Sequence, residues 1–427
     1  MFVLPRGAGL ALLTIAATWA SHGAASAAKL KTLYSFCKLA DCADGRQPDG
    51  HIIRDTSGNL FGTTPSGGSN DGGTVFEVAP DGTESVVANI CAETKCPDGE
   101  LPGSGVIMDT AGNLYGTARR GGFNGAGVVF ELVANPGRTA WSYEVLYRFC
   151  VNRCTDGEGP NGLTYQGQAS SALYDGTSPL YGTTTFGGVN NFGVAFSLTP
   201  HGKNWKYRDI HDFCTPDCTS DGMMPQAEMT MDASGALFGT TGAGGDANNG
   251  GTVFALKPKR KGAFAETILY RFCEVSGCAD GSTPFAGLTQ DAAGDLFGVT
   301  SSGGQSGEDS VAFKLVPNGA HSRYSLLHTF CSVSGCADGS APQAPLTLDA
   351  SGNLFGDTVS GGNVDDGGVI FSLTPRYHTL YTFCAKPSCG DGANPAAQLL
   401  LDASGSLTGT TTGGGANGQG TVYTLSP

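Results

Sequence analysis

Cysteine is the residue type in this chain whose spacing most clearly indicates chemistry. There are 14 cysteines, and all of them fall into pairs four or five residues apart, each followed closely by Asp-Gly. Two such thiols could form a disulfide or supply half of a tetrahedral zinc site. Because no matching second halves or histidines accompany them, we predict one disulfide per pair. The pairs are Cys37/Cys42, Cys91/Cys96, Cys150/Cys154, Cys214/Cys218, Cys273/Cys278, Cys331/Cys336 and Cys384/Cys389.

Aspartates are the second set of candidate chemical groups. The phrase Asp-Gly-x-x-Pro occurs after every cysteine pair. Carboxylate oxygens suit Ca²⁺, so seven of them brought together could bind calcium or a polyol. The alternative is that each carboxylate caps its own loop. Apart from this calcium hypothesis, we expect no cofactor. The aspartates are Asp44, Asp98, Asp156, Asp221, Asp280, Asp338 and Asp391.

Familiar catalytic constellations are absent from the sequence. No Gly-x-Ser-x-Gly, His-Glu-x-x-His or phosphate-binding Gly-x4-Gly-Lys motif occurs, and pairing of every cysteine excludes a thiol nucleophile. Six histidines follow the first 27 residues and share no single repeat position. A carboxylate pair for glycoside cleavage stays open, because spacing along the chain does not give the separation of two acids. The sequence therefore favours a protein that is not an enzyme, and we assign no catalytic residue.

The N-terminal residues predict export. Arg6 precedes the largely apolar run 8–20, and Ala25-Ser26-Ala27 fits a cleavage site, so residues 1–27 are predicted to be a signal peptide. Export and regular cysteine pairs together predict a secreted or periplasmic chain with disulfides. The run is shorter than the roughly 20 residues of a membrane span, and none is predicted elsewhere. The end of the chain on a predicted strand, without a sorting tail, favours release over attachment.

The charge of the chain excludes one class of partner. Its net charge is −14 at pH 7, with only 24 lysines and arginines in 427 residues. A nucleic-acid partner requires a broad positive face, so none is expected. We expect a monomer whose partner is a glycan or an extracellular protein.

The elements that position these residues form a repeat. First cysteines recur every 53–64 residues, and each repeat contains four short alternating β segments separated by turn residues. Repeated Asp-x-x-Gly phrases indicate hairpin turns, and a glycine in each second segment indicates a close backbone approach. Because a four-stranded sheet cannot bury both faces alone, the repeats should stack radially. We predict an all-β, seven-bladed β-propeller over residues 28–427, with repeats beginning near 37, 91, 150, 214, 273, 331 and 384.

The strand order within a blade follows from the charge pattern. The segment before each first cysteine carries polar residues such as Arg148, Asp212 and His328, which indicates the outermost strand. Residues 30–36 should then be the outer strand of the last blade and close the ring. In this order, the cysteine loops and glycine-rich loops share one face, and the seven aspartates would ring the mouth of the central channel. A linear β-solenoid is the alternative fold.

One compound motif carries a resemblance. Gly-Asn-Leu-Phe/Tyr-Gly-Thr-Thr, then Gly-Gly, then Gly-x-Val-Phe-x-Leu stands at 58–64 with 73–78 and at 112–118 with 127–132, among others. It resembles the bacterial GloVer tandem-repeat proteins, whose members are exported, often carry an interchangeable C-terminal anchor, and have a largely undefined role. Local departures include Ser178-Pro179 for Gly-Asn and Asp357 for Thr. The resemblance implies a propeller-type repeat and supplies no catalytic residues.

Taken together, these patterns predict an exported propeller that acts as a binding or interaction module with an undefined ligand. Two alternatives stay open. One is a carbohydrate-active hydrolase or lyase that uses acidic residues at the channel mouth. The other is a structural protein of the wall or extracellular matrix.

Overall fold

A computed structural model describes residues 28–168, 172–304, 309–319 and 321–427. The predicted signal peptide, residues 1–27, lies outside the described residues. Among the residues that are described, no helix combines the length and apolar character needed to cross a membrane.

The chain forms seven antiparallel blades, numbered here in chain order, as the repeat predicted. Within blades 1 to 6 the strands run in sequence from the inner to the outer edge. Blade 1 contains Ile53–Arg54, Leu60–Thr64, Thr74–Val78 and Glu84–Asn89. Blade 2 contains Val106–Met108, Leu114–Ala118, Val128–Ala134 and Trp141–Arg148. Blade 3 contains Glu158–Tyr165, Leu180–Phe186, Val194–His201 and Asn204–Asp212.

The next three blades repeat this order. Blade 4 contains Thr230–Met231, Leu237–Thr241, Thr252–Pro258 and Phe264–Arg271, and a small extra sheet pairs Gly222–Met223 with Ala243–Gly244. Blade 5 contains Thr289–Gln290, Leu296–Val299, Val311–Val316 and Arg323–Thr329. Blade 6 contains Thr347–Leu348, Leu354–Thr358, Val369–Ser372 and His378–Thr382.

Blade 7 closes the ring with the N-terminal strand. Its inner edge is split into Ala393–Pro395 and Leu400–Leu401, and both pieces pair with Leu407–Gly413. Thr421–Ser426 follows, and Lys29–Ser35 pairs with it as the outer strand. The predicted outer-strand assignment and ring closure are therefore confirmed.

Short 3₁₀ turns connect several of the strands. Most of them lie in the disulfide loops, where the chain reverses between the two cysteines of a pair. The turns are Ala40–Cys42, Ser69–Asp71, Arg260–Gly262, Ser276–Cys278, Ser334–Cys336 and Pro387–Cys389.

In each blade an aromatic ring packs over a glycine of the adjacent strand, and this lets neighbouring blades pack closely. In blade 1, Phe76 pairs in register with Gly62, and a Cβ on that glycine would lie 2.6 Å from the Phe76 ring. The other face of Phe76 receives Phe36, whose ring centroid lies 5.0 Å away at the end of the preceding outer strand. The same aromatic-on-glycine pair recurs in every blade, and this confirms the close approach expected at the strand glycines. The remaining pairs are Gly116/Phe130, Gly182/Phe196, Gly239/Phe254, Gly298/Phe313, Gly356/Phe371 and Gly409/Tyr423.

All seven predicted disulfides are present, one per repeat, and no cysteine is free. The two Cα atoms of a pair lie 3.7–4.2 Å apart, which is slightly closer than the roughly 4.4–6.8 Å of most disulfides. This short distance follows from the small separation of the two cysteines along the chain. The bonds join Cys37 to Cys42, Cys91 to Cys96, Cys150 to Cys154, Cys214 to Cys218, Cys273 to Cys278, Cys331 to Cys336 and Cys384 to Cys389.

The disulfide loop of the first repeat holds the glycine-rich loop. The Cys42 carbonyl accepts hydrogen bonds from the N–H groups of Gly45 and Gly68, at 2.8 and 2.9 Å. Gly68 belongs to the glycine-rich loop, so this contact places the two kinds of loop on one face. Cys37 and Cys42 both have left-handed φ values, 58° and 52°, which non-glycine residues adopt at a cost.

Three disulfide loops differ from the 3₁₀ form of the other four. The loops that end at Cys96, Cys154 and Cys218 contain bends and turns but no 3₁₀ segment. Cys96 and Cys154 keep left-handed φ values of 48° and 57°, whereas Cys218 is not in the left-handed region. The carbonyl of each nevertheless accepts an N–H from the glycine-rich loop of its own repeat, at 2.8–2.9 Å. The contact between the two loops is therefore kept where the local backbone changes.

Reduction of the disulfides should loosen this face before it unfolds the blades. Closing a loop of about six residues stabilises the fold by about 2 kcal/mol in the chain-entropy model, and without the bond the left-handed cysteine backbone can relax. Hydrogen–deuterium exchange with and without dithiothreitol should show faster exchange first in the cysteine and glycine-rich loops. Equal thermal stability with and without reductant would contradict this expectation.

The seam between blades 6 and 7 contains two polar substitutions. Asp357 is buried where the GloVer motif has Thr, and neither of its carboxylate oxygens has a hydrogen-bond partner. Tyr423 stands where the other blades have Phe, and its buried hydroxyl also lacks a partner. Burial raises the pKa of Asp357 well above its ordinary value and so favours the neutral form of the carboxyl.

Asp357→Thr should stabilise the protein at neutral pH. Because the pKa of Asp357 is higher in the folded state, the unfolded chain loses this proton first, and stability falls as the pH rises above about 4. We expect a gain on the order of 1–3 kcal/mol at pH 7 that shrinks towards pH 4, measured by denaturant unfolding. Asp365→Thr, at an exposed loop position of the same blade, is the control and should change little. A gain independent of pH would argue against the buried carboxyl as its cause.

Candidate functional site

The seven predicted aspartates lie in the seams between blades. Asp44 is buried and accepts hydrogen bonds from the Tyr34 hydroxyl at 2.7 Å and from the Lys38 and Leu39 N–H groups at 2.9 and 3.1 Å. These donors belong to the preceding outer strand and the disulfide loop. Each of the other aspartates likewise accepts at least one N–H from its own loop: Asp98, Asp156, Asp221, Asp280, Asp338 and Asp391.

The structure does not bring the seven carboxylates together at the channel. All seven lie in the described part of the chain, and none of them is among the residues that line the channel. The reason is positional, since each Asp stands before the channel-lining residues of its repeat and is hydrogen-bonded to its own disulfide loop. Because each aspartate caps N–H groups of its own loop, this role explains why the residue recurs in every repeat. Calcium binding stays a prediction.

Calcium binding by these aspartates has a direct test. If the seam carboxylates bind Ca²⁺, millimolar CaCl₂ should raise the melting temperature of the chelator-treated protein, because a ligand of the folded state stabilises it. MgCl₂ at the same concentration is the control for ionic strength. No shift in the melting temperature would rule the calcium hypothesis out.

Asparagines of the glycine-rich loops also bind within the fold. The amide of Asn70 donates to the Cys91 carbonyl at 2.9 Å, and that of Asn124 donates to the Cys150 carbonyl at 2.7 Å. Asn190, Asn248 and Asn417 make corresponding bonds to the neighbouring loop. These amides therefore fasten one repeat to the next.

The central channel brings a different set of residues together. It has a volume of about 1120 Å³ and is lined by the inner strands of all seven blades. In five of the seven blades the residue three positions after the proline of the Asp-Gly-x-x-Pro phrase lines the channel, and the residue type at this position differs between repeats. Blades 2 and 5 carry Gly105 and Gly287, whereas blade 1 carries His51 and blade 4 carries Glu228.

Glycines make room for these two side chains. A Cβ on Gly105 would lie 2.9 Å from His51 Nδ1, and one on Gly162 would lie 2.7 Å from Glu228 Oε2. His51 and Glu228 come from non-adjacent blades, yet Nδ1 and Oε2 are 3.6 Å apart. The side-chain amide of Gln168 donates a hydrogen bond to Glu228 Oε1. Blades 1, 3 and 4 thus contribute to one polar cluster.

The hydrogen bonds of this cluster orient the His51 ring so that its Nδ1 points towards Glu228. His51 Nε2 lies 3.2 Å from the Val106 carbonyl, which can only accept, so Nε2 carries a hydrogen. Nδ1 of a neutral His51 would then turn a lone pair towards the Glu228 carboxylate. Burial raises the pKa of Glu228, and the His51 charge partly opposes this shift.

A second acid lies where the inner strand of blade 1 begins. Burial raises the pKa of Asp49 to about 7, although the Arg119 guanidinium partly opposes the shift. Asp49 Oδ1 is buried without a hydrogen-bond partner. Gly103 lies beside it, and a Cβ there would be 3.2 Å from both carboxylate oxygens. The channel lining therefore includes two acids whose pKa burial raises, together with His51 and the arginines Arg54 and Arg119.

The remainder of the lining supplies amides and apolar surface. Gln226, Gln343 and Gln398 contribute amide groups that can donate and accept hydrogen bonds, and Phe285 and Pro345 contribute apolar faces. A deep cavity with apolar walls and a few convergent polar groups is the usual form of a small-molecule site. Sequence reasoning missed it because it searched for positions that the seven repeats share. The residues that form the site stand at aligned positions where the repeats carry different residue types.

The cysteines, which the sequence singled out first, contribute nothing to this channel. All 14 lie in the described part of the chain, and none of them is among the lining residues. Cys96, Cys154 and Cys218 are half-buried in their loops, and each sulfur is bonded to its partner cysteine. The cysteine pairs therefore have a structural role, and the chemistry of the candidate site comes from other residues.

The chain also matches a described repeat family. The Gloeobacter/Verrucomicrobia repeat matches residues 22–178, 164–337 and 309–427. The chain belongs to the Gloeobacter/Verrucomicrobia repeat family. This family is the one whose motif the sequence resembled, and no curated protein matches the chain.

Solved structures of low sequence identity also match. A candidate 6-phosphogluconolactonase from Bacteroides uniformis is 14% identical, with 82% of this chain and 88% of that chain covered and a TM-score of 0.47. A protein of unknown function from Dyadobacter fermentans is 10% identical, with coverages of 93% and 99% and a TM-score of 0.45. An α-L-arabinanase from Penicillium chrysogenum, complexed with arabinobiose, is 14% identical, with coverages of 75% and 92% and a TM-score of 0.42. Likeness at this level transfers neither a substrate nor a site residue.

Proposed function

We propose that this Gloeobacter/Verrucomicrobia repeat protein is a binding module that holds a glycan or similar polyol in its central channel. The observation that carries the proposal is the convergence of His51 and Glu228, from blades 1 and 4, in space left by glycines of the neighbouring blades. Such a specialised pair is not needed to build the ring, because Gly105 and Gly287 occupy the same repeat position.

The chemistry of the lining favours a neutral, hydroxyl-rich ligand. An amide group both donates and accepts hydrogen bonds, and so does a protonated carboxyl group. A hydroxyl group does the same, so these groups match a ligand rich in hydroxyls. Phe285 and Pro345 offer apolar surface for the C–H faces of a sugar ring. Seven disulfides are typical of proteins outside the reducing cytosol, and we propose that the protein meets this ligand after secretion or in the periplasm.

A glycan array followed by calorimetry tests the proposal. A glycan that binds the wild type should bind Glu228→Gln roughly 10- to 100-fold more weakly. The reason is that the loss of a buried hydrogen bond to a charged group costs about 1.5–3 kcal/mol. Glu93→Gln is the matched control, because Glu93 lies exposed in a disulfide loop outside the channel. Equal affinity in all three proteins would show that the ligand binds elsewhere. No glycan binding at all, with recovery of wall material in a pull-down, would favour a structural role.

A hydrolase is the second candidate, and two of the acids that line the channel favour it. A general acid in glycoside cleavage needs a pKa raised towards neutrality, and burial raises the pKa of both Asp49 and Glu228. The same experiment separates the candidates when the bound glycan is incubated with the protein and reducing ends are counted. Release that is lost in both Asp49→Asn and Glu228→Gln would establish the hydrolase. Binding without release supports the binding module.

A further inference from the structure

One of the seven seams differs from the rest in its chemistry. In six seams, the residue three positions before the first cysteine contacts the seam aspartate, and in four of them it is a tyrosine: Tyr34, Tyr147, Tyr270 and Tyr381. A residue on the outer strand of the next blade covers this pair. It stands seven positions before the cysteine that follows that strand. That residue is aromatic in four seams: Tyr143, Tyr207, Tyr324 and Tyr377. In two seams both residues are tyrosines, so the aspartate lies beneath two neutral rings, whereas in the seam between blades 7 and 1 the covering residue is Glu84 above Tyr34.

The seam between blades 3 and 4 replaces both rings with titratable side chains. His211 takes the place of the first tyrosine, and Glu266 takes the place of the covering one. His211 Nε2 lies 3.3 Å from Asp221 Oδ2 and 3.3 Å from Glu266 Oε1. One ligand atom from each of the three side chains lies within 4.8 Å of the others. Among the described residues, this is the one group of three or more His, Cys, Asp or Glu side chains with that property.

These distances fit a shared metal ion better than a hydrogen-bonded triad. A charge-assisted N–H···O bond is about 2.7–2.9 Å long, shorter than either contact. A tetrahedron with metal–ligand bonds of about 2.0–2.1 Å has edges of about 3.3–3.4 Å, which both contacts match. His211 Nε2 and Glu266 Oε1 are also buried without a hydrogen-bond partner. The only contacts of these two atoms within the cluster are therefore the 3.3 Å ion-pair contacts, which an ion bound between the three side chains would replace.

The comparison with a second histidine seam isolates the contribution of Glu266. His328 occupies the same repeat position in blade 5, and its Nε2 lies 3.1 Å from Asp338 Oδ2. There the covering residue is Tyr377, which stacks on the imidazole with ring centroids 4.1 Å apart. That seam has two potential ligands beneath a stacked aromatic ring, and 16% of the His328 side chain is exposed. The blade 3–4 seam has three ligands, and the side chains of His211 and Glu266 keep 15% and 17% of their surface exposed.

We propose that His211, Asp221 and Glu266 form a binding site for Zn²⁺ or a similar divalent transition-metal ion at the seam between blades 3 and 4. The imidazole nitrogen favours such an ion over Ca²⁺, which takes oxygen ligands. Three protein ligands leave a fourth tetrahedral position to water. The ion replaces aromatic stacking as the link between the two blades, and the site is separate from the central channel.

Zinc titration of the oxidised, full-length chain tests this site. After treatment with a chelator, isothermal titration with ZnCl₂ should show one ion per chain, and CoCl₂ should give the visible absorption of tetrahedral Co²⁺. His211→Tyr restores the residue of four other seams, and it should weaken zinc binding by at least 10-fold. His328→Tyr is the matched control and should bind zinc as the wild type does. Since no cysteine is free, thiol binding does not confound the titration.

Other outcomes decide against the proposal. Absence of zinc binding in the wild type, or equal binding in His211→Tyr, would overturn it. Loss of binding in His51→Gln with no change in His211→Tyr would place the ion in the channel and would also overturn it. If His211→Tyr does not fold, as judged by circular dichroism, Glu266→Gln removes a ligand charge with little change in shape. Zinc affinity that is unchanged in Glu266→Gln would refute the three-ligand site.

Discussion

The seam between neighbouring blades is the contact on which the rest of this structure depends. A four-stranded blade has two faces to bury, and it can bury them only against the blades on either side. Phe76 lies on Gly62 within its blade and receives Phe36 from the blade before it, and this packing recurs around the ring. A side chain on the glycine would push the aromatic ring into the neighbouring blade. The narrow, regular seam therefore requires both residues of the pair.

The buried aspartates extend this seam to the face that carries the disulfides. Asp44 is bonded to the outer strand through Tyr34 and to the disulfide loop through Lys38 and Leu39. The Cys42 carbonyl in turn fastens the glycine-rich loop. Disulfide, aspartate and glycine loop thus form one local unit in each repeat. These units stand immediately before the channel-lining residues of each repeat, and side chains from separate blades meet in the channel.

Much of the fold could be predicted from the sequence, because its signals are local. Alternating segments, Asp-x-x-Gly turns and cysteines four or five residues apart each report on a few neighbouring residues, and sevenfold repetition made each signal clear. The outer strand of blade 7 followed from the charge pattern. The channel site could not be predicted in this way. His51 and Glu228 carry no motif, and the seam aspartates, which do carry one, stay within their own repeats.

The sequence by itself determined the repeat, the seven blades, the disulfide pairs and the closure of the ring. These features depend on contacts within a repeat or between adjacent repeats, and the same residues specify them seven times. Only the tertiary structure decided which singular residues meet. The 3.6 Å approach of His51 to Glu228 spans blades 1 and 4, and the His211, Asp221 and Glu266 cluster spans a seam. Such meetings depend on the radius of the ring and the width of a seam, which no short stretch of sequence encodes.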